Sequence, residues 1–326
     1  MLRSFRYMGN ANSDPAIVAT MTVSPLRAGD PAMLHSNASE SMRGRIALAY
    51  RSMPDAHAGE LRVECADMLV AITRDVSDSL AGCELSFVDR TPIDLNLAAR
   101  QHQAYRQALE SLGCRVEALS AKHELPDAVF VEDTALVYDE IAISTRPGAP
   151  SRRPEVDSIA EVLRRYRTLR AIEAPGTIDG GDVLRVGRTI YVGRSARTND
   201  SGIAQLRAHV AEFGYSVVAV PTRECLHLKS AVTAVRDDTL LINPDWLVDP
   251  SVFAGYRWIE IDPAEPHAAN ALRIGDASIY PTSFPRTLEK LLRAGVAVTT
   301  VDVSELQKAE GAVTCCSIVF RESRVA

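Results

Sequence analysis

From residue 68 onward, the chain alternates between amphipathic helical stretches and short apolar runs. The first clear apolar run is 68–73, which predicts a strand. Residues 94–112 carry apolar side chains near one stripe and end at Gly113, which predicts a helix. Further helices are predicted at 155–169, 203–213 and 287–294. Further strands are predicted at 115–119, 128–138, 141–145, 171–174, 183–186, 189–192, 216–220, 230–235, 239–242, 258–261 and 296–301, and in the apolar segment that begins with Cys315.

The predicted elements form five repeats of a helix followed by strands, of which the fourth is the least regular. Polar or reactive residues recur where a strand of the repeat begins, at Glu132, Asp179, His227 and Cys315. These positions are 47, 48 and 88 residues apart, and the last interval is twice 44. Tandem repeats that share one axis build propeller-like barrels, in which equivalent positions converge at the centre. The pattern therefore predicts an α/β barrel with these four side chains around a central pocket.

Residues 1–67 differ from the rest of the chain because they show no sustained hydrophobic period. We predict two parts, a poorly ordered N-terminal extension at 1–67 and a catalytic domain at 68–326. An alternative is that Met68 is the true initiator, since the first clear strand begins there. The sequence leaves both open.

Composition and charge narrow the class of partner. The chain has 326 residues, 46% of them hydrophobic, and a net charge of -6. Nucleic acid and anionic membranes favour basic surfaces, so we expect neither and predict a small-molecule ligand. The six cysteines include one vicinal pair and no metal-type CxxC spacing, which indicates a reducing, cytoplasmic environment. No apolar run is long enough for a membrane span, and the oligomeric state is left as monomer or homodimer.

Cys315 is the candidate nucleophile. A free cysteine is most often a small buried hydrophobe, and that reading applies to Cys315 and Cys316 when they are considered alone. A nucleophilic thiolate needs a base and an orienting acid, and the repeat offers His227 and Asp179. Alone, His227 could be a satisfied core histidine and Asp179 an ordinary turn residue. Their recurrence with Cys315 favours a catalytic group.

Charged residues near the predicted pocket suggest what it binds. Glu132 and Asp133 interrupt an apolar predicted strand, where unpaired carboxylates are costly, so we expect a cationic partner for them. Arg152 lies in a segment that could be a simple solvated loop, and Arg197 lies in one that could be only the capping segment of the next helix. Arginines on loops at the mouth of a cavity are also a common way to hold a substrate carboxylate.

Six short motifs together resemble the dimethylarginine dimethylaminohydrolase family, in the same order and with similar spacing. The motifs are PDAVFVED at 126–133, TRPGAPSRR at 145–153, DGGD at 179–182, SARTN at 195–199, LHLKS at 226–230 and TCCS at 314–317. The resemblance extends from about residue 68 to residue 320. It implies a hydrolase of arginine metabolism and the five-bladed α/β propeller of guanidino-group-modifying enzymes, the pentein fold.

The resemblance also implies roles for individual residues. It makes Cys315 the nucleophile, His227 the general acid and base, and Asp179 the residue that orients His227. The substrate-binding positions that it implies are Leu85 on a flap, Asp127, Glu132 and Asp133 at the amine and guanidinium ends, Arg152 and Arg197 at the amino-acid head, and a backbone contact at Ala309. This chain departs from the family at Ala309, where a larger aliphatic residue is expected. No metal or organic cofactor is implied, although zinc bound by Cys315 and His227 would inhibit.

The implied reaction converts asymmetric dimethylarginine and monomethylarginine to citrulline plus dimethylamine or methylamine, through a covalent thiouronium on Cys315. Two alternatives stay open. Arginine or guanidine deiminases and amidinotransferases use the same fold and the same catalytic groups, and differ in the room for the N-alkyl group. A non-catalytic protein that binds arginine derivatives would keep the pocket without turnover, which an intact Cys315, His227 and Asp179 disfavour.

Overall fold

The computed structural model describes residues 68–322. The predictions about residues 1–67 lie outside the described residues. Within 68–322, no helix has the length and apolar character that crossing a membrane requires.

Fifteen strands and six α-helices are found within the described residues. The strands are β1 (Leu69–Arg74), β2 (Cys114–Leu119), β3 (Ala135–Val137), β4 (Ile141–Ser144), β5 (Thr168–Ala171), β6 (Val183–Val186), β7 (Thr189–Arg194), β8 (Ser216–Pro221), β9 (Val232–Ala234), β10 (Thr239–Ile242), β11 (Arg257–Glu260), β12 (Leu272–Ile274), β13 (Ala277–Pro281), β14 (Ala297–Val301) and β15 (Ile318–Arg321). The α-helices are α1 (Leu95–Ser111), α2 (Val156–Leu163), α3 (Asp200–Val210), α4 (Leu228–Ala231), α5 (Pro285–Arg293) and α6 (Ser304–Gln307). Short 3-10 helices span Leu80–Gly82, Val131–Thr134, Pro150–Glu155, Gly180–Asp182, Ala211–Phe213, Pro244–Trp246 and Pro250–Phe253.

The strands form five three-stranded sheets with the same internal order. Their orders are β15-β1-β2, β3-β4-β5, β6-β7-β8, β9-β10-β11 and β12-β13-β14. In each sheet the middle strand pairs antiparallel with the first strand and parallel with the third. A parallel pair needs a crossover connection, and α1, α2, α3 and α5 provide it in four of the sheets. In the fourth repeat, two 3-10 helices replace the α-helix, which explains why its pattern is the weakest.

One sheet joins the two ends of the described chain. β1 is its central strand, and it pairs with β15 in the register Leu69↔Arg321 to Ile72↔Ile318. On its other side, β1 pairs with β2 over six residues. The ring of sheets is therefore closed by a strand from each end.

Five hydrophobic clusters hold neighbouring sheets together. Each cluster takes buried residues from two adjacent sheets, so the five clusters form a continuous ring. In one of them Ile143 of β4 lies with Ile190 of β7, and both are fully buried. Fully burying a side chain of this size contributes about 1.5–3 kcal/mol. Adhesion between sheets is thus the main source of stability, because a lone three-stranded sheet has little core of its own.

The first strands of all five sheets surround the axis. A cavity of about 700 Å³ is lined by residues of β3, β6, β9, β12 and β15. The segment just before each of these strands lies at one end of the axis. This confirms the predicted five-bladed α/β propeller.

The local structure at the recurring positions differs from the prediction. Cys315 lies in a turn, and its strand begins only at Ile318. Glu132 and Asp133 lie in the 3-10 helix Val131–Thr134, ahead of a strand of three residues. These positions therefore precede strands rather than begin them. A turn or a short helix aims its side chains along the axis, whereas a strand would alternate them between two faces.

We propose that residues 68–326 fold as the catalytic domain without the preceding residues, because the ring closes through β1. A protein that begins at Met68 should keep the circular dichroism spectrum and melting temperature of the full chain. A protein that begins at Asp75 is the control. It lacks the central strand of the closing sheet and should lose cooperative unfolding. A Met68 protein that aggregates or melts early would show that earlier residues belong to the fold.

Candidate active site

A narrow cleft lies at the end of the axis where the recurring segments meet. Its lining residues are Glu84, Asp127, Phe130, Asp133, Arg152, Arg197, Leu226, His227, Ala309, Glu310, Gly311 and Cys315. They come from segments widely separated in sequence. Seven of the ten predicted site residues line this cleft, and an eighth, Asp179, contacts His227 from behind.

His227 is held between two buried carboxylates. Its Nε2 lies 3.1 Å from Asp179 Oδ2 and 4.0 Å from Asp133 Oδ1. Burial disfavours the imidazolium, but the charge of Asp133 and the hydrogen bond with Asp179 outweigh it and raise the pKa of His227 to about 9. Asp179 is itself fixed, because its Oδ1 accepts from the backbone N–H of Gly148 at 2.8 Å. The imidazole is thus oriented, and it is cationic at neutral pH.

The two adjacent thiols have different surroundings. Cys315 is half-buried and lines the cleft, whereas Cys316 is fully buried in the core. Cys316 Sγ donates to the carbonyl of Ala312 at 3.4 Å. Burial and the charges of Glu132 and Asp133 raise the pKa of Cys315 to about 12. Without a bound cation, Cys315 is therefore a neutral thiol.

Arg152 is almost completely buried among protein acceptors. Its Nη1 donates to Asp133 Oδ2 at 2.6 Å, and its Nη2 donates to Glu155 Oε2 at 2.8 Å and to the carbonyl of Phe130 at 3.0 Å. Burial raises the pKa of Asp133, but the charges of His227 and Arg152 lower it to about 2. Asp133 therefore stays ionised inside the protein. Arg152 reaches the cleft with much of its hydrogen-bonding capacity already used.

Glu132 lies beside the cleft rather than in its lining. Its carboxylate accepts from Lys229 Nζ and from Thr314 Oγ1, the latter at 2.8 Å, and it borders the axial cavity. Burial, its largest influence, raises the pKa of Glu132. Its backbone N–H donates to the carbonyl of Cys315 at 3.1 Å. Glu132 therefore lies close behind the nucleophile candidate.

The remaining predicted positions surround the mouth of the cleft. Arg197 Nη1 lies 4.0 Å from Asp179 Oδ2, and its Nη2 donates to Ser86 Oγ at 3.2 Å. Asp127 is buried, and its Oδ2 accepts from the backbone N–H of Glu84. Ala309 is buried and lines the cleft. Leu85 is outside the lining and packs partly buried against the neighbouring core.

The two glycines of the DGGD motif let the central segments approach closely. A Cβ on Gly180 would lie 1.9 Å from the carbonyl oxygen of Glu132, and a Cβ on Gly181 would lie 2.4 Å from His227 Nδ1. No other residue fits at either position. Gly181 also donates its backbone N–H to Asp133 Oδ1 at 2.8 Å.

Three further residues of the site were missed by the sequence reasoning. Asp182 is fully buried and holds the segment after His227, because its Oδ1 accepts from the backbone N–H of Leu228 at 2.9 Å. Lys229 pairs with Glu132. Asn270 occupies the remaining recurring position, between His227 and Cys315, and its Nδ2 donates to Thr314 Oγ1 at 3.0 Å. The interval of 88 residues between His227 and Cys315 spans two repeats of 44 residues. Its midpoint is residue 271, so the spacing already indicated a recurring position next to Asn270.

Oxygen and nitrogen atoms of Asp133, Asp179 and His227 lie within 4.8 Å of one another, which is close enough for a metal ion. The same atoms already have protein partners. Asp133 pairs with Arg152, and Asp179 pairs with His227.

Comparisons with known proteins agree with this geometry. The family described as N,N dimethylarginine dimethylhydrolase, eukaryotic, matches residues 89–320. The N(G),N(G)-dimethylarginine dimethylaminohydrolase of Streptomyces coelicolor is 41% identical over 253 residues, which cover 77% of this chain and 97% of that protein. The protein of the same name from Pseudomonas aeruginosa is 39% identical over 229 residues, or 70% of this chain and 90% of that one.

A solved structure of the Pseudomonas aeruginosa protein, a mutant complexed with citrulline, has the same architecture. It superposes with a TM-score of 0.74 at 36% identity, and the match covers 78% of this chain and 100% of that one. Sequence, fold and the grouping of a thiol with a histidine and carboxylates therefore agree. The chain belongs to the dimethylarginine dimethylaminohydrolase family.

Proposed function

We propose that this protein hydrolyses asymmetric dimethylarginine and monomethylarginine to citrulline and dimethylamine or methylamine. The observation that carries the proposal is the cleft that the thiol of Cys315 lines together with a cationic His227 and an ionised Asp133. Relatives that carry the name of this activity are 39–41% identical over most of their length.

The charges of the cleft suit a substrate with a cationic end and an amino-acid head. A guanidinium keeps its proton at neutral pH, so its site must offer negative charge. In the proposal Asp133 binds the guanidinium, and Glu132 adds negative charge from behind Cys315. Asp127 binds the amino group together with backbone carbonyls at Leu85 and Ala309. Arg197 and Arg152 bind the carboxylate.

Substrate binding activates the nucleophile. The pKa of Cys315 is raised to about 12 in the empty cleft, so few molecules carry a thiolate. A guanidinium bound beside the sulfur adds a positive charge to that of His227, and both favour the thiolate. The thiol proton leaves to solvent as the substrate binds. The nucleophile is thus formed mainly when there is a substrate to attack.

The reaction then proceeds in two halves. Cys315 Sγ attacks the guanidinium carbon, which forms a C–S bond and a tetrahedral carbon. His227 donates its proton to the departing alkylamine as the C–N bond breaks, leaving a covalent thiouronium. The neutral imidazole then takes a proton from water. The resulting hydroxide attacks the same carbon, and the C–S bond breaks with its electron pair returning to sulfur. The hydroxyl proton passes to the departing thiolate, which restores the Cys315 thiol as citrulline is released.

The alternative within this superfamily is a deiminase of unmethylated arginine or another guanidine, or an amidinotransferase. The assay that decides is citrulline release from asymmetric dimethylarginine, monomethylarginine and arginine, measured side by side. Preference for the methylated substrates supports the proposal. Preference for arginine would overturn it, and no citrulline from any substrate would favour an amidinotransferase or a binding protein.

The proposal includes a cellular setting. Cys83, Cys114, Cys225, Cys315 and Cys316 are free thiols, which persist in a reducing compartment. We therefore propose that the protein works in the cytoplasm, on a small-molecule substrate. It would do so as a monomer or a homodimer.

The first prediction compares the two thiols. Cys315→Ser should abolish citrulline formation and leave the melting temperature nearly unchanged, because a hydroxyl cannot replace the thiolate. Cys316→Ser is the matched control. It should retain activity and lose about 1–3 kcal/mol of stability, since it places a hydroxyl in a packed core. Mass spectrometry of enzyme quenched during turnover should find the adduct on Cys315. An active Cys315→Ser variant, or an adduct on Cys316, would refute this assignment.

The second prediction separates the two arginines. Arg197→Ala should weaken substrate binding by about 1.5–3 kcal/mol, the range for hydrogen bonds to charged groups, with little effect on stability. Arg152→Ala should also weaken binding, and it should destabilise the fold by about 3–5 kcal/mol because Asp133 and Glu155 lose their buried cation. Agmatine lacks the carboxylate and should be a poor substrate of the parent enzyme. Efficient turnover of agmatine would rule out the assigned roles.

The third prediction tests the charge of His227. Its pKa is about 9 in the folded protein and about 6.5 in an unfolded chain. Because the pKa of His227 is higher in the folded protein, its protonation contributes fully to the unfolding free energy below pH 6.5. This contribution is lost as the pH rises through 9. From pH 6.5 to 9, the unfolding free energy of the parent should fall by about 3 kcal/mol more than that of His227→Gln. Urea melts at both pH values measure this difference. Parallel curves would mean that His227 is neutral.

A further inference from the structure

A loop at the edge of the cleft is fastened to one carboxylate. We call residues 84–90 the lid. The backbone N–H of Ser86 donates to Glu310 Oε1 at 2.9 Å and to Oε2 at 3.0 Å. The N–H of Val88 donates to Oε1 at 2.8 Å, and the N–H of Phe87 donates to the same oxygen. One side chain thus binds three successive lid amides.

The lid also touches residues that the proposed function uses for substrate binding. The N–H of Glu84 donates to Asp127 Oδ2 at 3.1 Å, and Ser86 Oγ accepts from Arg197 Nη2 at 3.2 Å. The closed lid therefore holds both groups at the mouth of the cleft. A change in the position of the lid would break these contacts at both ends of the proposed substrate site.

The backbone of Glu310 adopts a conformation that is unfavourable for a residue with a side chain. Its φ of 57° lies in the left-handed region, which glycine adopts easily and glutamate does not. The turn follows α6 and is closed by hydrogen bonds from Glu310 N to the carbonyl of Gln307 at 3.1 Å and from Gly311 N to that of Leu306 at 2.9 Å. Helix ends of this shape usually carry glycine. Here a charged residue takes the strained position, between two residues that line the cleft.

The lid also borders a second space. An apolar cavity of about 250 Å³ adjoins the cleft, and its walls include Phe87 and Val88 of the lid, Trp246, Phe284 and Glu310. Lid opening would expose Trp246 to solvent. This tryptophan is therefore a built-in reporter of the position of the lid.

We propose that Glu310 is a positioning residue that latches the lid closed over bound substrate. The proposal rests on the proposed function, because it assigns the lid to the same cleft. Three charge-assisted hydrogen bonds order the lid before substrate arrives. Without them, the ordering must take place during binding and reduces the affinity. Glu310 is absent from the bond-making steps, so its loss affects binding more than turnover.

Glu310→Gly is the direct test, because it removes the carboxylate and also relieves the backbone strain. With monomethylarginine as substrate, KM should rise about tenfold to a hundredfold, the range expected for lost hydrogen bonds to a charged group, while kcat changes much less. The melting temperature should stay close to that of the parent. A purely structural residue would give the opposite result, with a lower melting temperature and an unchanged KM.

The chain offers a matched control. Glu224 is the other non-glycine residue with positive φ within the described residues, at 55°, and its side chain makes no hydrogen bond or ion pair there. Glu224→Gly makes the same substitution in the same backbone region without touching the lid amides. It should leave KM within about twofold of the parent, well below the tenfold that one lost interaction of 1.4 kcal/mol produces. An equal rise in KM for both variants would overturn the proposal.

A second readout needs no turnover. In substrate-free protein, the amides of Ser86, Phe87 and Val88 should exchange with deuterium faster in Glu310→Gly than in the parent or in Glu224→Gly. In a Trp258→Phe background, acrylamide should quench Trp246 more strongly when the latch is removed. Unchanged exchange and quenching would overturn the latch even if the enzyme is active. An inactive parent with the expected exchange pattern would instead contradict the proposed function.

If Glu310→Gly does not fold, Glu310→Gln replaces it. The glutamine side chain keeps one acceptor oxygen but has no charge. KM and the exchange rates of the lid backbone amides should therefore both increase, but by less than in Glu310→Gly. A Gln variant that matches the parent in both would overturn the proposal.

Discussion

Arg152 carries a positive charge that the solvent scarcely reaches, and the site depends on how that charge is balanced. Asp133 and Glu155 bind it from two sides. A buried ion pair contributes little net stability, but removing one partner is costly. The pair therefore keeps Asp133 ionised and fixed in place. The negative charge of Asp133 in turn raises the pKa of His227, and in the proposed function it also binds the cationic end of the substrate.

This balance is possible only because several repeats meet at one point. Asp133, Asp179, His227 and Cys315 lie ahead of the first strands of four different sheets. Each sheet adheres to its neighbours through its own hydrophobic cluster, so every segment is anchored independently. Gly180 and Gly181 then allow the segments to approach without side-chain interference. The hydrophobic clusters between the sheets stabilise the ring, and the candidate active site lies at one end of its axis.

The sequence predicted the repeats better than the contacts. Intervals between polar positions were enough to group Cys315 with His227, because a tandem repeat fixes where equivalent residues meet. The sequence could not predict the direction in which the Glu132 side chain points. Glu132 lies in a 3-10 helix, where side chains do not alternate between two faces as they do in a strand. Arg152 was predicted from its loop position as a substrate contact, and nothing local reveals that it also pairs with Asp133 and Glu155. Such pairs depend on tertiary distances, which composition and period do not encode.

The strand pairing that closes the ring has a consequence for the order of folding. Leu69 pairs with Arg321, so the sheet that closes the ring joins residues about 250 positions apart. Bringing such distant segments together carries a large loop-closure entropy, and non-local pairing of this kind slows folding. The first four repeats can adhere to one another earlier, through contacts that are closer in sequence. Cys315 lies three residues before β15, so we expect the candidate nucleophile to reach its place in a late stage of folding. An incompletely folded chain therefore lacks the grouping of Cys315 with His227 and Asp133 on which the proposed reaction depends.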